Sequence, residues 1–82
     1  METMIGTVIH YYPKISVAAV ILEDHIVKGD RIHIRGLHDH MRQSVTSIEI
    51  EHIPVEEAGP GQDVGIIVTE RVHEGDRVYR ES

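Results

Sequence analysis

Seven of the 82 residues are histidine, the most unusual chemical feature of the chain. His38-Asp39-His40 is their sharpest cluster. Alternate side chains of an extended segment point the same way, so two imidazoles can share an ion. His33 lies close enough in sequence to complete a set. The competing reading is a solvated loop at a hairpin tip, and the incomplete ligand set favours it. No metal and no other cofactor is expected. Basic residues are few but grouped. Arg31, His33 and Arg35 share the outward face of one strand, Arg42 begins the strand that should return beside it, and Arg77 opens the last strand with Tyr79 facing outward. Guanidinium groups beside a stacking ring suit RNA backbone and an unpaired base. The alternative is cross-strand pairing with Glu49, Glu51, Glu74 and Glu81, each pair contributing about 0–1 kcal/mol. Tyr11-Tyr12-Pro13-Lys14 places one tyrosine outside, where it suits a protein or base contact. Otherwise a tyrosine packs over the end of the fold with its hydroxyl wet.

No catalytic constellation is visible. Glu49 and Glu51 share a strand face, but a solvated face also produces that spacing. Glu56-Glu57 lies in a linker, and neither Ser44 nor Ser47 has a glycine-framed elbow. The chain is therefore read as no enzyme.

The elements that must position these residues are strands. Ile and Val together number 22, against five for Leu and Ala together. β-branched side chains suit a pleated surface, and the strong helix formers are nearly missing. Apolar-rich stretches at Met4–Tyr12, Ile15–Leu22, Arg31–Arg35, Arg42–Ile53, Asp63–Thr69 and Arg77–Arg80 predict six strands, with turn signals between them. Gly29-Asp30 and Gly75-Asp76 echo one another as tight turns. Val45, Ile48 and Ile50 break strict alternation, which predicts a β-bulge near Thr46-Ser47.

Composition sets the outer limits. The net charge is −6 and cysteine is absent. That excludes a disulfide framework, a thiolate zinc site and a cysteine nucleophile. Acidity argues against nucleic-acid binding by charge alone. No apolar run is long enough to span a membrane, and no secretory signal is seen, so a cytoplasmic protein is the default. Residues 1–82 make one domain.

Four segments in register resemble one known fold. Ile26-Val27-Lys28-Gly29-Asp30-Arg31-Ile32-His33-Ile34, Ser44-Val45-Thr46-Ser47-Ile48-Glu49, the stretch from Val55 to Ile66 and Val72-His73-Glu74-Gly75-Asp76-Arg77-Val78 are similar to the second domain of the translation GTPases. The resemblance covers essentially the whole chain. It implies an all-β fold, a small closed six-stranded β-barrel. It also implies a non-catalytic module contacting tRNA, the ribosome or a protein of translation or RNA processing. The chain has no G-x-x-x-x-G-K-[ST] phosphate loop, so no nucleotide is expected. A similar barrel closes some collagenase-like peptidases. This gives the alternative, a protein–protein adaptor that is the detached accessory barrel of a separately encoded enzyme. The expected contact residues are Arg31, His33, Arg35, Arg42, Arg77, Tyr11 and Tyr12.

Overall fold

A computed structural model describes residues 1–82. The fold is all-β, as the Ile/Val excess requires, and contains no helix. It has ten strands: β1 (Glu2–Tyr12), β2 (Val17–Leu22), β3 (Ile26–Val27), β4 (Arg31–Arg35), β5 (His40–Ser44), β6 (Ile48–Ile50), β7 (Ile53–Val55), β8 (Glu57–Ala58), β9 (Asp63–Ile67) and β10 (Arg77–Glu81). Eight form one antiparallel sheet in the order β5-β4-β10-β1-β2-β9-β6-β7, and β3 pairs with β8 in a separate ribbon. No helix is long and apolar enough to cross a membrane.

The expected closed six-stranded barrel is not formed. The sheet has two free ends, β5 and β7. Backbone groups that follow β5 are spent elsewhere: Val45 exchanges hydrogen bonds with Gly29 and Asp30, and the Lys28 amide donates to the Glu56 carbonyl beside the ribbon. A side chain bridges the gap instead. Gln43, buried on β5, donates to the Ile67 carbonyl at 2.8 Å and accepts from the Thr69 amide at 2.8 Å at the end of β9. The sheet thus coils around a single cluster of 17 buried apolar residues without closing its backbone ladder.

The expected bulge near Thr46-Ser47 is also corrected. The stretch from Arg42 to Ile53 is three elements, not one strand: β5 pairs with β4, whereas β6 pairs with β9 and β7. Val45 and Ile48 are both buried because the chain changes partner between them. The bulges lie in β1, at Met4/Gly6 and at Val8/His10. Each inserts one residue and shifts the alternation by one, so Ile5 and Val8 point inward and Tyr11 packs against the core.

The Gly-Asp turns form as expected, and a third accompanies them. Gly29, Gly61 and Gly75 have φ of 100°, 86° and 93°, values that glycine adopts without a Cβ penalty. The next side chain in each case accepts from the amide three residues back: Asp30 from Val27 at 2.9 Å, Gln62 from Gly59 at 2.8 Å, Asp76 from His73 at 2.9 Å. Each turn also exchanges two backbone hydrogen bonds with one buried apolar residue, Val45, Leu22 and Val8 respectively. β4, β9 and β10 all begin from this device, which fixes where their side chains point.

Candidate functional site

Three places on the molecule gather chemistry. The first is the outer face of β5-β4-β10-β1. It brings together Arg31, His33, Arg35, Arg42 and Arg77, as alternation implies, because β4 registers Arg35 against Arg77, His33 against Tyr79 and His33 against Arg42. One expectation needs correction: His33 faces outward from the sheet yet is only 2% exposed. The long side chains around it cover it. Its Nδ1 meets Glu2 Oε2 at 2.7 Å, its ring lies 4.5 Å from that of His40, and its Nε2 is buried with no hydrogen-bond partner. Arg42 is held by carboxylates, 3.2 Å from Glu81 and 3.9 Å from Glu2. Arg35 lies over the Tyr79 ring at 4.4 Å. The hydrogen bond to His33 is the main reason the Glu2 carboxyl sits below the usual carboxylate range. Burial opposes it, and the His33, Arg35 and Arg42 charges assist. Of the four glutamates expected to pair with the strip, Glu81 does so. Glu74 instead pairs with His10 at 3.2 Å.

The second place joins the loop before β5 to the turn before β10. His38 and His40, expected to share an ion, separate. His40 packs against His33, while His38 lies 5.6 Å, ring to ring, from His73. Asp39, between them in sequence, meets His73 Nδ1 at 2.7 Å. Asp76 completes the group, with one ligand atom from each of Asp39, His73 and Asp76 lying within 4.8 Å of the others. Gly36 makes the approach feasible, since the Asp76 carboxyl occupies the space that a Cβ at position 36 would take. Burial raises the Asp76 carboxyl, and its hydrogen bond with Asp39 raises it further. Burial pushes Asp39 up too, but hydrogen bonds from Asp76 and His73 outweigh that and hold it low. The two carboxyls are thus pushed in opposite directions, Asp76 up and Asp39 down. A cleft of about 480 Å³ adjoins the group, lined among others by His10, His38, Arg71 and Glu74.

The third place is an apolar trough of about 380 Å³ on the outer face of β2-β9-β6. Val17, Ala19 and Gly65 form its floor, Tyr12 and Ile15 stand on one side, and Glu49, Glu51 and Asp63 supply an acidic rim. Ile15 is 61% exposed, Ile67 and Tyr12 47%. Of the tyrosine pair, Tyr12 is thus the outside one. Tyr11 packs against the core with the Arg71 guanidinium 5.5 Å from its ring. Ser16, Glu51 and His52 are the non-glycine residues with positive φ, at 56°, 50° and 67°; Glu51 and His52 line this trough, and Ser16 falls between its lining residues Ile15 and Val17 in sequence. Glu51 and His52 form the two-residue loop between β6 and β7, where Asn-Gly would fit without strain. Each such residue costs about 1–2 kcal/mol.

No family model matches the chain. An uncharacterized protease of Methanocaldococcus jannaschii is 41% identical over 76 residues, or 92% of this chain; the chain spans 19% of that relative's length. Two crystal structures show the C-terminal domain of a protein of Geobacillus thermoleovorans assigned to the U32 peptidases. The selenomethionine variant superposes with a TM-score of 0.90 at 23% identity, covering 96% of this chain and 99% of that one. The other gives 0.89 at 23%, covering 95% and 91%. At that identity the likeness establishes the fold. The expected resemblance to the translation GTPases is overturned: the comparisons return peptidase-related chains and show no translation-factor kinship. Three of the four quoted segments hold a glycine turn, Gly29-Asp30, Gly61-Gln62 or Gly75-Asp76, and the strand it starts. That local chemistry serves any sheet needing the same turn, so it misled about family while being right about the turns.

Proposed function

We propose that the chain is a non-catalytic accessory domain of the kind found at the C-terminal end of U32 peptidases, and that it docks on the peptidase portion through the trough around Ala19 and Gly65. The likeness to that C-terminal domain over 96% of the chain carries the reading. Identity of 41% to a fifth of a protease supports it independently. The trough suits the docking role. Small residues on the sheet leave a concave apolar floor, exposed Ile15 and Ile67 flank it, and strained turns hold its edges. The chemistry of peptide cleavage belongs, on this reading, to the partner. Titration of the chain into a U32 peptidase whose own C-terminal domain has been deleted should give a one-to-one complex. Ile15→Glu with Ile67→Glu should weaken it at least about tenfold, or about 1.4 kcal/mol. Absence of a complex, or a complex indifferent to both substitutions, defeats the proposal.

A further inference from the structure

We propose that Asp39, His73 and Asp76 bind one divalent first-row transition metal ion, of the class to which zinc belongs. The three donors come from two segments 34 residues apart, and folding brings their ligand atoms within 4.8 Å of one another. Ligands of a single zinc, at 2.0–2.2 Å from the metal, stand roughly 3–3.6 Å apart, so the group needs to adjust by only about 1 Å. An imidazole with two carboxylates selects zinc-like ions over magnesium or calcium, which take oxygen ligands alone. His38 stands beside His73, and the cleft gives a fourth ligand, imidazole or water, room to enter.

The surroundings orient the set. The His73 amide donates to Asp76 Oδ2 at 2.9 Å and fixes where that carboxyl points. This is the kind of outer hydrogen bond that aims a ligand. Gly36 leaves room for the Asp76 carboxyl, and Asp39 lies on the loop that Gly36 begins, with the Gly36 amide bonded to the Asp39 carbonyl at 3.0 Å. All three ligand atoms bind zinc in their unprotonated forms. The site lies away from the trough, so it stands or falls separately from the docking role.

Calorimetric titration of the full chain with zinc chloride tests it. One zinc per chain is expected. Cobalt(II) bound at the same place should show visible d–d absorption. Asp76→Asn and His73→Gln should each weaken zinc binding more than about tenfold, while His25→Gln, an exposed histidine elsewhere, leaves it unchanged. Asn at 76 keeps the acceptor for the His73 amide, so the metal-free melting temperature should stay near that of the parent chain. Should that variant fail to fold, His73→Gln alone decides. No one-to-one complex tighter than about 100 μM, or one that survives the substitutions at 73 and 76, overturns the proposal.

Discussion

His33 and His73 each meet a carboxylate through Nδ1 at 2.7 Å, one Glu2 and the other Asp39. Around His33 the protein closes in. The ring is 2% exposed, Arg42 approaches the same glutamate, and the far nitrogen faces protein. Around His73 it stays open: the side chain is 43% exposed and a second carboxyl, Asp76, joins the first. Arg42 also approaches Glu2, so that enclosed couple acts as a strut between β1 and β4. Two acids crowd His73 beside a cleft, so that group keeps room for a ligand. Equal bond lengths hide opposite roles, because neighbouring charge and burial, not the bond, set the response.

The comparison breaks most readily at His33. His33→Ala should cost about 3 kcal/mol in urea unfolding, since it empties a buried site and strips Glu2 of its partner. His73→Ala should cost about 1 kcal/mol or less, and equal losses would erase the distinction. Gly36→Ala comes next, at about 1–3 kcal/mol. The new methyl displaces the Asp76 carboxyl, so histidine NMR shifts should move at His73 and His38 but not at His33. Asp76→Asn, free of metal, should change stability by less than about 1 kcal/mol, because asparagine fits the turn and donates to Asp39. The finest distinction is one of pH. The Glu2 carboxyl is lowered in the folded chain, so its contribution is present above the ordinary carboxylate range and is lost as pH falls through the folded value. Glu2→Gln should therefore flatten the acid limb of the stability profile. An unaltered acid limb would mean that Glu2 is no strut.

What could be read in the residues was local. The Ile/Val excess implied strands, and Gly29-Asp30 and Gly75-Asp76 implied turns, because φ > 0 and a short acceptor side chain act within four residues. Gln62 escaped notice as the third member of that set, since its longer side chain is not a usual turn acceptor. Arg31, Arg35, Arg42 and Arg77 were placed on one face by alternation alone. Their shared face did not reveal that they would cover His33, which depends on side-chain length across three strands. The spacing of Val45 and Ile48 looked like a bulge, yet a bulge and a change of partner leave the same mark on periodicity. Asp39, His73 and Asp76 carried no joint signal, because their meeting rests on the pairing of β4 with both β5 and β10.

The sheet order has a consequence in time. β10, last along the chain, sits between β4 and β1 near the middle of the sheet. As the chain leaves the ribosome, β1 and β4 must wait with unpaired edges until residues 77–81 emerge. Contacts of high sequence separation then form late, and the loop-closure entropy they must overcome slows folding. The nascent chain therefore exposes two adhesive edges until residues 77–81 arrive. β10 acts as the keystone whose arrival commits the whole sheet.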